Sequence, residues 1–507
     1  MAVVGRLSSS QAPRYIVGTG KTPHAIYFPK KWNLSLMSNR RLLNSPSVII
    51  LFILIILNLI IFSNIFPSFF FADDFFYIHA NIASSPLELL GKAMYLSFHD
   101  FFRPVFYMIF GLNYAIFHLY YHGYYAINLL FHLLNGYLVF ILCSKLMKNR
   151  FSPSIAAILF TVFPGHWEAI GWLNPINHLT MTAAYLTALI LFNEYLEKKR
   201  TSFMLFSSLF YFLALSCHEG SLTFIIMAAF LYLLKTKKID IPDAFAKLWP
   251  YLTVLFIYFI INIYTKIVLL TGPMQKQYYL GWHFIPGMMD YLSTLIIPAT
   301  IQYKLHSIIP GNILNTIILA KYSLYIILPI VLFIILFKGD ISLKFFSLWP
   351  VIAFIPFSFF TTPHTSRYMY LASVGFCSTL AIVGMNMYDH ARSRMSKLSI
   401  AMIMLLIMTA YLLTSIAYQK VFYYKKEIRR QILLDFKKLS PTLDQKGHYY
   451  FANLPITENE ITYMLYLWFN KDKVDIRVID TKTSTGLVKG INTHMFDYKQ
   501  GHLIKIK

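Results

Sequence analysis

The chain has 507 residues, of which 57% are hydrophobic and 13% charged, whereas a soluble globular chain carries roughly 25% charged residues. With a mean hydropathy of +0.55, this composition excludes an ordinary soluble protein. The formal charge of +23 does not point to nucleic acid, because the basic residues stand in short clusters between apolar runs, where topology signals of membrane proteins sit.

Residues 1–46 form a basic arm with Arg6, Arg14, Lys21, Lys30, Lys31, Arg40 and Arg41 and no acidic residue, which predicts disorder and a cytoplasmic position. The first apolar run, Ser47 to Phe71, is longer than the core of a cleaved signal peptide and lacks its small-residue end, so it reads as a permanent helix. A loop with Asp73, Asp74, Glu88 and Asp100 follows, leading to Arg103. Pro104 to Leu119 is apolar but would invert the alternation if it crossed, and is expected to be half inserted or interfacial. Further runs occupy Tyr124 to Leu146, Ser152 to Phe163, Leu179 to Tyr195, Phe203 to Cys217, Ser221 to Leu234 and Trp249 to Leu270. After a long loop come Lys321 to Phe337, Phe346 to Phe360, Tyr368 to Tyr388 and Leu398 to Tyr418. The expectation is an all-α polytopic membrane domain over residues 47–418 with about eleven transmembrane helices, basic turns on one face and polar motifs, including His364, on the other.

Residues 419–507 lose the apolar character and read as a small soluble α/β domain: strand His448 to Asn453, helix Glu458 to Phe469, then strands Val474 to Ile479 and Met495 to Ile506. The alternation puts this domain outside, although Lys420, Lys425, Lys426, Arg429 and Arg430 favour the inside. It contains no nucleotide-binding glycine loop, and the chain shows no internal repeat. Cys143, Cys217 and Cys377 lack ligand spacing and read as small buried hydrophobes.

Ionisable groups gather on the predicted outer face. Asp73 and Asp74 lie among Phe70, Phe71, Phe75, Phe76 and Tyr77, where partial desolvation raises a carboxylate's pKa and suits it to general-base work. The same pair would also serve simply to mark a helix end. Asp74 is placed ahead of Asp73, being nearer the aromatic cluster. His166, Glu168, Asn174, Asn177 and His178 fill the segment between two helices, where they either line a site or cap the next helix. His132 and Asn135, three residues apart, share a helix face and equally suit a hydrogen bond to a neighbouring helix. His218 and Glu219 follow an apolar run. Arg103 and Arg367 are read either as headgroup anchors or as bidentate phosphate ligands. The outer Asp, Glu and His residues show no tight metal-ligand spacing, and no cofactor is expected.

An Asp-Asp loop, Arg103-Pro104, Asn128-Leu-Leu-Phe-His132-Leu-Leu-Asn135, Phe163-Pro-Gly-His166-Trp-Glu168-Ala, Cys217-His-Glu219 and Arg367-Tyr-Met-Tyr-Leu-Ala-Ser-Val-Gly-Phe376 occur in one order. Over roughly Phe71 to Leu380, this order resembles the membrane part of the transmembrane and tetratricopeptide-repeat O-mannosyltransferases and, more broadly, the glycosyltransferase C superfamily, here without the repeats. The resemblance implies a polyprenyl-phosphate sugar donor, an active site facing away from the cytoplasm in an inner membrane or the endoplasmic reticulum, inversion at the anomeric carbon, and a protein, glycan or lipid acceptor. It assigns catalysis to Asp73 or Asp74. Donor phosphate would go to Arg103 and Arg367, and the lining to His132, His166, Glu168, Asn177, His178, His218, Glu219 and Tyr368. The family's Lys-Glu pair is His218-Glu219 here, and its Gly-Arg-x-Asp element is Asn174-Pro-Ile-Asn177, without either charge. The rival expectations are a transporter or flippase of lipid-linked sugars, which usually shows repeated halves and midplane substrate groups, and a noncatalytic scaffold that keeps the fold.

Overall fold

A computed structural model describes residues 46–99, 101–236, 240–269, 278, 280–297, 311–361, 365–479 and 492–506. Most of the basic arm, Asp100 and His364 lie outside the described residues. The chain divides into Met1–Val48 and one compact unit, Ile49–Lys507, and everything below concerns the second.

Each expected apolar run contains a helix, although the α-helix in Ser47 to Phe71 ends at Phe62 and that in Phe346 to Phe360 ends at Phe354. In chain order these are α1 (Pro46–Phe62), then α2 (Asp74–Ala80), α3 (Pro86–His99) and α4 (Pro104–Phe117), followed by α5 (Tyr121–Leu146), α6 (Ser152–Val162), α7 (Trp167–Gly171), α8 (Ile176–Lys198), α9 (Thr201–Cys217), α10 (Phe224–Thr236) and α11 (Ile241–Leu269). Then come α12 (Phe284–Ile296), α13 (Gly311–Lys338), α14 (Ile341–Phe354), α15 (Met369–His390) and α16 (Arg394–Leu439). Among the described residues, eight helices are long and apolar enough to cross a membrane, and Pro104–Phe117, Ser152–Val162, Thr201–Cys217 and Ile341–Phe354 are shorter apolar helices. Exposed Ile53, Ile56, Leu205, Leu209, Phe256, Ile260, Ile330, Phe333, Leu405 and Leu406 form a belt that water would penalise and lipid chains would accept.

Helix ends follow local chemistry. Asp340 caps α14 by accepting the Leu343 N–H at 2.8 Å, which starts this helix five residues before the expected run. Between α1 and α5, the short helices α2 and α3 pack with α4, Tyr77 of α2 meeting Phe106, Tyr107 and Phe110 of α4 with ring centroids 5.0, 6.0 and 5.6 Å apart. Only residues 118–120 join α4 to α5, and Tyr125 near the start of α5 donates to the Phe69 carbonyl. Both ends of α4 therefore lie on the side of the Asp73 loop. The long loop after α11 contains the unpredicted helix α12.

The C-terminal region is a four-stranded sheet in the order β2-β1-β3-β4, with β1 (His448–Ala452), β2 (Asp475–Ile479), β3 (Thr493–Lys499) and β4 (His502–Lys505), and one helix, α17 (Glu458–Phe469). β1 pairs in parallel with β2 and β3. The single expected strand Met495 to Ile506 is instead a hairpin, because Gln500 and Gly501 both adopt positive φ, 49° and 87°, the backbone of a tight two-residue turn. Phe436 of α16 packs on Phe451 and Phe496 of the sheet. The expected boundary at residues 418/419 falls inside α16, which runs unbroken from the apolar belt into this sheet.

Candidate functional site

The loop after α1 turns back on itself at Ala72, whose φ is 50°, a left-handed conformation that non-glycine residues seldom hold without support. Three groups support it, Trp172 and Glu460 from distant segments and Asp74 from the loop itself. Trp172 donates its indole N–H to the Phe71 carbonyl at 3.0 Å. The Ala72 N–H donates to Glu460 Oε1 of α17 at 2.9 Å. Asp74 accepts the Phe71 N–H on Oδ2 at 2.9 Å and the Asn174 N–H on Oδ1 at 3.0 Å.

The two adjacent carboxylates are thereby given different surroundings. Asp74 is fully buried, and both its oxygens hold backbone in place. Burial raises its carboxyl well above the usual carboxylate range, opposed by those N–H groups and by the Lys426 charge. Asp73 is exposed, and among the described residues its carboxylate accepts one hydrogen bond, from the Asn174 amide at 3.4 Å. Protein around it removes part of its hydration and raises its carboxyl, with Glu460 adding to the effect and Arg367 opposing it.

Two arginine–glutamate pairs stand beside this loop. Glu168 of α7 accepts from Ser366 Oγ at 2.9 Å, from the Arg367 N–H at 3.2 Å and from Arg367 Nη1 at 3.1 Å, so one carboxylate ties down the turn that begins α15. The Arg367 guanidinium lies over Trp172 and Tyr368, 5.3 and 5.5 Å from their ring centroids. Arg103 grips Glu219 with two bonds, Nε to Oε2 at 3.0 Å and Nη2 to Oε1 at 2.5 Å. The two guanidiniums interact electrostatically with each other. His178 and His218 fill the space between, with ring centroids 4.2 Å apart, and His178 lies 5.6 Å from Tyr368. Tyr368 in turn stacks on Phe357 at 4.2 Å.

Asp73, Asp74, Arg103, Glu168, His178, His218, Glu219, Arg367 and Tyr368 thus belong to one connected cluster. The basic turns lie at the opposite helix ends, where Lys145 and Lys198 pair with Glu194, Lys235 pairs with Glu197 at 2.6 Å and Asn149 bonds Asp389 at 2.7 Å.

His132 and His166, expected to line the site, are not brought into it. His132 bonds the Tyr370 hydroxyl at 2.7 Å and the Thr161 carbonyl at 3.2 Å, and His166 bonds Ser373 Oγ at 2.7 Å. Both are buried between helices, where a polar side chain needs a partner. Asn177 turns its Oδ1 to the His178 N–H at 2.9 Å and serves the start of α8. Trp172 and Glu460 are contributors that no motif in the sequence marks, and Lys426 and Arg429, read from the sequence as topology signals only, join them. Among the described residues no group of three or more His, Cys, Asp or Glu is placed to hold a metal ion.

These elements define a multi-helix membrane protein with one ionisable cluster at the helix ends opposite its basic turns. No family profile matches the sequence. The chain is similar to a protein O-mannosyl-transferase of Caenorhabditis elegans, 27% identical over 328 residues that make up 62% of this chain and 46% of the relative. It is also similar to the protein O-mannosyl-transferase Tmtc1 of Drosophila melanogaster, 26% identical over 129 residues, 25% of this chain and 15% of that one. The matches thus span less than half of each relative's length. Among solved structures, ArnT from Cupriavidus metallidurans bound to undecaprenyl phosphate matches with a TM-score of 0.47 at 10% identity, covering 89% of this chain and 93% of that one. The likeness to O-mannosyltransferases read from the ordered motifs is found again in the named relatives.

Proposed function

We propose that the chain is a membrane glycosyltransferase that moves a sugar from a polyprenyl-phosphate carrier to an acceptor hydroxyl, with Asp73 as general base. The carrying observation is that the exposed Asp73 carboxylate, beside an Asp74 whose two oxygens are both taken by backbone, belongs to one cluster with the positioned guanidiniums of Arg367 and Arg103, opposite the basic turns. The resemblance of Asp73 and Asp74 to the family's catalytic loop leaves the choice between them open. The choice falls on Asp73 because both oxygens of Asp74 already hold backbone N–H groups. This reverses the order of preference read from the sequence.

The acceptor O–H gives its proton to Asp73 as its oxygen bonds to the anomeric carbon, and the bond from that carbon to the phosphate oxygen breaks with inversion. The leaving carrier phosphate gains one negative charge, so a neighbouring guanidinium stabilises the transition state more than the bound donor. Arg103 and Arg367 are assigned this role. Glu219 and Glu168 hold them in fixed orientations before the donor arrives, which lowers the reorganisation needed during reaction. An activated lipid-linked donor needs no nucleotide site. The cluster is assigned to the side of the membrane away from the cytoplasm, since the basic turns mark the cytoplasmic face.

The test is transfer by the purified chain from polyprenyl-phosphomannose to a peptide containing serine and threonine, comparing wild type with Asp73→Asn. Loss of transfer in a folded variant supports the reading. Transfer at the wild-type rate overturns it.

A further inference from the structure

We propose that Glu460 of the C-terminal α/β domain is a positioning residue for the reaction, holding the Asp73 loop in its working conformation from the far end of the sequence. The proposal rests on the reading of Asp73 as the base.

The domain approaches this loop through one face of α17. Glu460, 5% exposed, lies in the first turn of that helix, whose N-terminus is capped by Thr457 accepting the Glu460 N–H at 3.2 Å. A glutamate three residues after a capping threonine ordinarily reaches back to its own helix. Glu460 reaches outward instead. Its Oε1 accepts the N–H of Ala72, the left-handed residue immediately before Asp73, and the same oxygen accepts Arg429 Nε of α16 at 2.7 Å. Arg429 in turn lies over the Phe71 ring, 4.4 Å from its centroid. The attachment extends beyond this pair: Trp468 packs on Phe69 and Phe70 with centroids 5.2 and 5.9 Å apart, Phe76 meets Tyr463 at 5.1 Å, and His79 bonds Asp472 at 2.7 Å.

Without Glu460, the Ala72 N–H loses its acceptor and the left-handed turn loses one of its three supports. A shift of about 1 Å in a reacting group costs on the order of 10²-fold in rate. The charge of Glu460 acts as well. The groups facing Asp73 are Arg367, itself paired with Glu168, the neighbouring Asp74, the Asn174 amide, and Glu460 with its partner Arg429. Of these, Glu460 raises the Asp73 carboxyl and Arg367 lowers it.

Two variants of the full chain separate geometry from charge. In Glu460→Ala the acceptor is gone. We expect kcat with polyprenyl-phosphomannose and a serine/threonine peptide to fall about 10- to 100-fold with KM for the donor little changed, and the amides of residues 71–74 to exchange hydrogen faster. In Glu460→Gln the remaining carbonyl oxygen keeps both bonds now made by Oε1, and only the long contact from Arg429 Nη2 to Oε2 at 3.4 Å is given up. We expect kcat at the optimum to be retained and the acid limb of the pH profile to move to lower pH, because removing a neighbouring negative charge lowers the pKa of the base. Wild-type kcat and unchanged amide exchange in the alanine variant would overturn the proposal, as would an unmoved acid limb in the glutamine variant, which also keeps the test valid if the alanine variant does not fold. Asp73→Asn is the reference: if it is inactive while both Glu460 variants behave as wild type, only this inference falls. If it remains active, the reading of Asp73 as base falls as well.

Discussion

Exchanging each carboxylate of the Asp73-Asp74 pair for an amide should give two different defects. In Asp74→Asn one carboxylate oxygen becomes an NH₂ group facing either the Phe71 or the Asn174 N–H, both of which now donate to Asp74. A buried donor left without an acceptor costs about 1–3 kcal/mol, and the buried Lys426 charge loses the anion with which it interacts. The fold around the loop should therefore be weakened by at least that amount. In Asp73→Asn the exposed side chain gives up a single weak contact at 3.4 Å, and surface changes of this kind stay within about 0.5 kcal/mol. Its cost appears in the rate, about 10² to 10⁴ for loss of a general base, equivalent to about 3 to 5 kcal/mol in the barrier. Thermal unfolding in detergent, followed by tryptophan fluorescence, measures the first effect, and transfer from polyprenyl-phosphomannose measures the second. An Asp74→Asn protein as stable as wild type, or an Asp73→Asn protein that turns over normally, would refute the division of roles.

Three further outcomes follow from the same geometry. The acid limb of kcat/KM should lie above the ordinary aspartate value of about 3.9, because the surrounding protein strips part of the hydration of the exposed Asp73 carboxylate and so raises it, and the base is lost only as pH falls through that raised value; a limb at or below the ordinary value would contradict it. Arg103→Lys should not restore the activity lost in Arg103→Ala, since a lysine ammonium cannot reproduce the two-bond grip on Glu219; full activity of the lysine variant with the same donor would count against a positioned guanidinium. In a chain whose three native cysteines are replaced, single cysteines at Ser84 and Lys148 should label from opposite sides of the membrane, and labelling from one side would remove the assignment of the two faces.

The helices were legible because lipid demands them: every run expected to cross contains a helix, and the basic turns Lys145, Lys198 and Lys235 do share a face through Glu194 and Glu197. The misses arose where the signal is local and weak. The turn Gln500-Gly501 carries only one glycine, so two strands read as one. Helices α2, α3 and α12 are short, and their polar positions broke the apolar runs by which the others were found.

The site was legible only in part, and for a different reason. His132 and His166 stand out because ionisable groups at membrane depth are costly, yet Tyr370 and Thr161 satisfy both ring nitrogens of His132, and Ser373 takes one of His166, so expense alone does not mark a working histidine. Asp73 and Asp74 are chemically identical in sequence and differ in the fold through burial and through the backbone N–H groups that Phe71 and Asn174 give to Asp74, which no side-chain pattern announces. Glu460 was hidden more thoroughly. Thr457-Glu458-Asn459-Glu460 has the spacing of a helix cap, for which a local role of Glu460 is the ordinary expectation. Its contact with Ala72 joins residues 388 positions apart, and it carries weight because Ala72 holds a backbone conformation that alanine does not favour. A residue held in a left-handed turn needs an external brace, and here the brace comes from the part of the chain that looked separate from the membrane domain.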